Sequence, residues 1–137
     1  MRYQHVRRHP EVAAGEVTVA KNASFGQNVT IDATGNVSIG DGTHLAHRVS
    51  ILTHHHANMT GPPAAGLCGP AVPDTITIGN HVFIGEESRI LPQVGSIGDW
   101  AVIGAYSVLT KSVGPGEIWA GNPAKFIRHR DGWEAEY

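Results

Sequence analysis

Between Ile76 and Val113 aliphatic residues recur at six-residue steps: Ile78, Ile84 and Ile90, then Ile97, Ile103 and Leu109. Glycine follows at Gly79, Gly85, Gly98 and Gly104. Four places after each aliphatic stands a small or β-branched residue: Val82, Ser88, Val94, Ala101, Ser107 and Val113. A period of six fits neither the 3.6 of a helical stripe nor the 2 of a long strand. It predicts very short strands joined by tight corners and stacked into a β-helix. Alternate residues of a strand share a face, so positions i and i+4 turn inward, and glycine relieves crowding at the corner. The step from Ile90 to Ile97 is seven residues, which places an inserted residue, Gly95 or Ser96, in a corner bulge.

The pattern also runs toward the N-terminus: Val19 with Ala23, Phe25 with Val29, Ile31, Ile39 with Thr43, Leu45 with Val49, and Ile51. The corner from Asp32 to Asn36 is two residues longer than the repeat requires. Twelve aliphatic starts predict about four coils of triangular cross-section. The chain then divides, as a single domain over 1–137, into a polar N-terminal cap (1–16), coils (17–53 and 76–114), a projecting loop (54–75) and a C-terminal extension (115–137). The stretch between Ile51 and Ile76 carries four prolines and no strand alternation, and such a loop in a compact repeat points to function. It begins with three consecutive histidines, His54, His55 and His56. Gly121-Asn122-Pro123 ends the solenoid, because proline cannot donate to a ladder; the segment after it is expected as a short strand or helical turn on an outer face.

Composition narrows the function. Seventeen glycines and 7% aromatic residues suit a solenoid filled with aliphatic side chains. A net charge of -2 gives no argument for nucleic acid or an anionic membrane surface as partner. One cysteine, Cys68, excludes an intrachain disulfide framework, and a nucleophilic role for it is set aside. No apolar run reaches the length of a membrane span, and the first residues lack the apolar segment of a secretory signal. A cytoplasmic location is expected.

The segments IGNHVFIGEESRILPQV, SIGDWAVIGAYSVLTKSV and IWAGNPAKFIR resemble the hexapeptide-repeat acyltransferases, in the branch of maltose, galactoside and polysaccharide O-acetyltransferases. The resemblance covers about Val17 to Arg128. It implies an all-β, left-handed parallel β-helix, a homotrimer, and acetyl-CoA bound in clefts between subunits, with a sugar as acceptor and no metal. It also implies a catalytic histidine a few residues after IGDGTHLAHRVSI (39–51). Ungapped, that histidine is His56; His54 is the second candidate, and the third reading makes the run only a polar root of the loop. The hexad register puts His55 inward and His54 and His56 outward.

The chemistry requires such a group. A sugar hydroxyl is a poor nucleophile, and a neutral imidazole can remove its proton during attack on the thioester. An imidazole with the ordinary pKa of about 6.5 is mostly neutral at cellular pH. Backbone N–H groups at a coil corner would hold the oxyanion, with Gly85 as candidate. By the same resemblance Ala105 meets the pantetheine arm, and Thr110, Lys111, Lys125 and Arg128 meet the nucleotide end. Asp32 falls where relatives place an acidic substrate contact. Phe83 stands where relatives commonly carry Trp, and Tyr106 replaces a usual glycine. Trp119 is expected against adenine or as a cap on the coil. Asn22, Asn28 and Asn36, with Asp41 and Asp99, read as groups satisfying corner backbone.

Other functions compete. An amino-sugar N-acetyltransferase would use the same base. A zinc enzyme of the γ-carbonic anhydrase type would draw on His44, His47, His54, His56 and His81, and a non-catalytic scaffold would bind no coenzyme A.

Overall fold

The computed structural model describes residues 5–7, 15–57 and 69–133. Strand β1 (His5–Arg7) precedes the coils. The first coil is β2 (Val17–Val19), β3 (Ser24–Phe25) and β4 (Thr30–Asp32). The second is β5 (Val37–Ile39), β6 (His44–Leu45) and β7 (Ser50–Ile51). The chain then leaves the stack as an antiparallel hairpin, β8 (His54–His56) against β9 (Ala71–Pro73). The third coil is β10 (Ile76–Ile78), β11 (Phe83–Ile84) and β12 (Arg89–Ile90). The fourth is β13 (Ser96–Ile97), β14 (Val102–Ile103) and β15 (Val108–Leu109). An antiparallel pair, β16 (Glu117–Gly121) and β17 (Ala124–His129), closes the described chain.

Successive strands belong to different sheets, so the stack has three faces. The first face holds β2, β5, β10 and β13. The second holds β3, β6, β11, β14, β16 and β17, and the third β1, β4, β7, β12 and β15. Apart from β16 with β17, the strands of these faces pair in parallel, with Ile31 beside Ile51 and Ile84 beside Ile103. This is the coiled topology that the hexad period predicts, with four complete coils among the described residues.

Inward columns fill the prism. Ile31, Ile51, Ile90 and Leu109 line up from the third face, Leu45, Ile84 and Ile103 from the second, and Ile39, Ile78 and Ile97 from the first; all are buried. The i+4 residues from Val29 onward are buried too, including Ser88 and Ser107, while Ala23 in the first coil is half-buried. Those hydroxyls are satisfied at the corners, as buried polar groups must be: Ser107 Oγ–H donates to the Gly104 carbonyl at 2.6 Å and Ser88 Oγ–H to the same oxygen at 3.0 Å. With so little slack, Ile84→Ala is expected to cost about 2–5 kcal/mol in a urea titration.

The irregular steps have local causes. The seven-residue step is absorbed by a 3-10 turn, Pro92–Val94, that ends on Gly95 at φ 75°. The segment after Pro123 is the strand β17 on the second face. Asp41, Asp99 and Asn36 satisfy corner backbone as expected, accepting the N–H groups of Asn22 at 3.1 Å, Asn80 at 2.8 Å and Glu16 at 2.9 Å. Among the described residues no helix is long and apolar enough to cross a membrane.

Candidate active site

The long corner at 32–36 lies on the edge where the third face turns into the first. Asp32 ends β4 and Thr34 follows two residues on, the spacing of an Asx turn. The Thr34 N–H and hydroxyl both donate to Asp32 Oδ1, at 3.1 and 2.6 Å. One coil above, Thr53 is fully buried; its N–H donates to Asp32 Oδ2 at 3.0 Å and its hydroxyl to the Asp32 carbonyl at 2.5 Å. The Thr53 hydroxyl also accepts the Gly35 N–H at 2.9 Å. Gly35 is required here, because a Cβ would stand 1.8 Å from the Asp74 carbonyl oxygen.

His54 completes the cluster. Its Nδ1–H donates to Asp32 Oδ2 at 2.5 Å. Asp32 is only 7% exposed. Burial alone would push its carboxyl pKa up, but donors from Thr34, Thr53 and His54 outweigh that and hold it below the ordinary value. The acid is therefore an ionised anchor for one imidazole. Asp32 was expected at a substrate contact; its oxygens are instead taken by Thr34, Thr53 and His54.

The histidine run differs from the hexad register. His55 was expected inward, yet its side chain is 55% exposed, while His54 and His56 are half-buried. The physical reason is that the coil ends at Thr53: the hairpin β8–β9 starts its own alternation, and His54 and His56 share its other side. His55 Nδ1–H donates to Asp74 Oδ2 at 2.8 Å. His56 Nδ1–H donates to the Gly69 carbonyl at 3.0 Å, and its ring stands edge-on to His54, centroids 5.3 Å apart.

Gly85 and Ala105 occupy a different edge, between the second and third faces. They stack on adjacent coils so closely that a Cβ on Gly85 would lie 2.5 Å from the Ala105 nitrogen. The Gly85 N–H, the expected oxyanion donor, is committed to the Ile103 carbonyl at 2.8 Å. That role is corrected by the ladder itself: corner glycines at this position donate upward along the stack. The next N–H, that of Glu86, and the Ala105 N–H have no hydrogen bond among the described residues. Phe83 lies beside this corner on the outer second face, stacked on His44 with centroids 5.9 Å apart. Tyr106 is 70% exposed at φ 60°.

The basic residues separate into two groups. Thr110, Lys111 and Lys125 line one cleft of about 300 Å3 with Trp119 and Phe126. Trp119 continues the inner column above Ile103 and caps it, its Nε1–H donating to Glu117 at 3.0 Å. Arg128 is elsewhere, in a cleft of about 210 Å3 with Val102, Ile118, Arg130 and Asp131. Thr34 and Thr53 were not expected at the site. The Asp-x-Thr spacing signals Thr34, but nothing in a hexad count brings Thr53 onto Asp32 from the coil above.

The five histidines considered as zinc ligands are dispersed over the second face (His44), two other edges (His47, His81) and the hairpin (His54, His56). Among the described residues no group of three or more such side chains is placed to hold an ion.

Comparison with known proteins adds to this geometry. No family profile matches the chain. It is 33% identical over 135 residues to a probable macrolide acetyltransferase of Lysinibacillus sphaericus, covering 93% of this chain and 68% of the relative. It is 34% identical over 124 residues to the galactoside O-acetyltransferase of Escherichia coli, covering 88% of this chain and 58% of that protein. The crystal structure of a maltose O-acetyltransferase from Clostridium difficile superposes with a TM-score of 0.74 at 29% identity, over 93% of this chain and 66% of the other. The chain thus spans about three-fifths to two-thirds of the length of these relatives.

Proposed function

The chain belongs to the hexapeptide-repeat acyltransferase family and has its left-handed parallel β-helix, and we propose that it moves an acetyl group from acetyl-CoA to a hydroxyl of a sugar or polysaccharide precursor. The observation that carries the reading is the buried Asp32 carboxylate on His54 Nδ1. It favours His54 over His56 as the base, since the His56 Nδ1–H donates to a neutral backbone carbonyl, which offsets the charge of an imidazolium less than a carboxylate does. A galactoside acetyltransferase of the same fold has been solved with coenzyme A, which supports that donor.

With Nδ1–H committed to Asp32, the neutral His54 ring carries its lone pair on Nε2. Nε2 takes the proton of the acceptor hydroxyl as its oxygen attacks the thioester carbonyl. The new C–O bond forms a tetrahedral oxyanion, for which the Glu86 N–H is the candidate donor. The C–S bond then breaks, and the imidazolium returns its proton to the leaving sulfur, giving an ester and free coenzyme A. Asp32 acts as a positioning residue: it fixes the tautomer and faces the positive ring. Ala105 would meet the pantetheine arm through its N–H, with Thr110, Lys111, Lys125 and Arg128 toward the nucleotide.

One copy cannot assemble this site. From Ala105 to Thr110 the chain crosses the third face, roughly 16 Å at 3.3 Å per residue. The histidine edge and the Gly85–Ala105 edge of a single copy therefore stand at opposite sides of that face, beyond hydrogen-bond reach. A homotrimer in which one copy's histidine edge meets the neighbour's Glu86–Ala105 corner closes the gap. Mixing His54→Ala with Ala105→Arg chains is expected to restore part of the activity each lacks; mixtures as inactive as their parents would argue against shared sites. The activity itself is tested by thiol release from acetyl-CoA across sugars, amino sugars and nucleotide sugars. Turnover with a hydroxyl sugar supports the reading, turnover with amino sugars alone moves it to N-acetylation, and no release with any of them rejects it.

A further inference from the structure

His47 stands on the same edge as the Glu86–Ala105 corner, one coil below Glu86. Leu45 pairs with Ile84, and the Glu87 N–H donates to the His47 carbonyl at 3.0 Å. His47 and Glu86 therefore hold equivalent corner places, about 4.8 Å apart by the spacing of neighbouring strands. The His47 ring turns toward the first coil, where its Nδ1 accepts the Gln27 N–H at 2.7 Å. A backbone N–H can only donate, so in the neutral ring the lone pair is on Nδ1 and the proton on Nε2. This is the opposite tautomer to His54, whose Nδ1–H is given to Asp32.

The coil does not need this bond. The N–H groups of Glu86 and Ala105, at the matching place one and two coils higher, have no hydrogen bond among the described residues, so a corner N–H here can be left to water. What the bond does is fix the ring. Gly26 leaves it room, since a Cβ there would lie 2.6 Å from His47 Nδ1. The ring is half-buried and its Nε2–H has no partner among the described residues. An oriented donor without a partner, beside the corner that faces the thioester, is placed to bind a ligand oxygen. That ligand is not the coenzyme: Ala105, Thr110, Lys111 and Lys125 lie in the fourth coil and beyond, which leaves the coils below Glu86 to the acceptor.

We propose that His47 is a specificity-determining residue whose Nε2–H donates to an oxygen of the acceptor sugar other than the hydroxyl that is acetylated. The Gln27 N–H holds the ring in the tautomer that this requires. The assignment rests on the acetyl-transfer reading. A donor at this place rewards a hydroxyl, ring or carbonyl oxygen and rejects an ammonium group, which has no lone pair to offer. Such a loss of pairing is the kind of difference by which a polar site tells substrates apart. His54 and His47 thus divide the work by tautomer: one takes a proton from the reacting hydroxyl, the other gives a hydrogen bond to its neighbour on the sugar.

Nitrogen NMR of the full chain labelled in histidine tests the tautomer and the contact together. His47 should show a bare Nδ1 and a protonated Nε2, and the reverse would overturn the proposal. With coenzyme A present, adding galactose, glucosamine or UDP-glucose should move the His47 Nε2 signal for the sugar that is bound. No movement with any sugar, or movement with coenzyme A alone to which no sugar adds, would overturn it. In the thiol-release assay His47→Phe, which keeps a ring but loses the donor, should raise the KM of the acceptor about three- to tenfold. The kcat and the KM for acetyl-CoA should move less than about twofold. His47→Gln, whose amide keeps a donor, should recover part of the loss. An unchanged acceptor KM in His47→Phe, or a rise shared equally by acetyl-CoA, would count against the contact. A sugar-dependent His47 signal in a protein that releases no thiol with any acceptor would keep the subsite and reject acetyl transfer.

Discussion

Two neighbouring edges of this prism each hold an acid and a base, and they use them differently. Between the second and third faces, Arg48 meets Glu87 through Nε and lies 3.9 Å from Glu86. The Arg48 side chain is 47% exposed and that of Glu87 25%, so water reaches both partners. Between the third and first faces, Asp32 is enclosed and receives the Thr34 hydroxyl, two N–H groups and His54. An exposed pair competes with hydration and salt, so its net effect on folding is small. A buried carboxylate left short of donors would carry a large desolvation cost. The sequence around Asp32 is therefore built to supply donors, and the imidazole among them is the one group with chemistry to offer. An acid–base pair on a coil corner indicates function where it is buried and satisfied, not where it is merely close.

Perturbing each pair sharpens the contrast. His54→Ala is expected to lower turnover by about 10²–10⁴-fold, the usual range for a lost general base, with coenzyme A affinity by calorimetry nearly unchanged. His56→Ala should cost less than about tenfold in the same thiol-release assay, and the reverse ranking would move the base to His56. Asp32→Asn keeps the shape but loses the charge; turnover is expected to drop roughly tenfold or more, equivalent to about 1.4 kcal/mol of barrier.

The same variant reports on stability. Asp32's carboxyl pKa is held down in the folded protein, so the unfolded chain binds that proton more tightly. Its contribution should be complete above the ordinary carboxylate pKa of about 3.9 and fade as pH falls through the lower folded value. Urea unfolding of wild type and Asp32→Asn should thus show a gap that is steady above about pH 5 and narrows in acid; a gap independent of pH would contradict this. At the small end, Arg48→Ala should leave the melting temperature and its salt dependence essentially unchanged. A clear loss would mean the exposed pair does more than its geometry implies.

The coil was legible because its cause is periodic. A six-residue repeat of Ile, Leu and Val specifies which side chains fill the prism, and Ile84, Ile103 and Leu109 are buried where that repeat puts them. Even the seven-residue step gave its place away through Gly95. The site was less legible because it depends on contacts between coils. Asp32 and Thr53 are 21 residues apart and meet only because the third face stacks them. The inward expectation for His55 failed where the repeat stopped governing the chain, at the first residue of the hairpin. The Gly85 N–H was misassigned because a residue's place at a corner does not say whether its N–H points along the stack or away from it.

The claim that Asp32 works through His54 is tested most directly by thiol-release rates of Asp32→Asn, His54→Ala and the double variant, measured together under saturating acetyl-CoA. If the carboxylate acts by holding the imidazole, the double variant should be no slower than His54→Ala alone. Losses that multiply in the double variant would show that Asp32 contributes independently of His54, and would contradict the account.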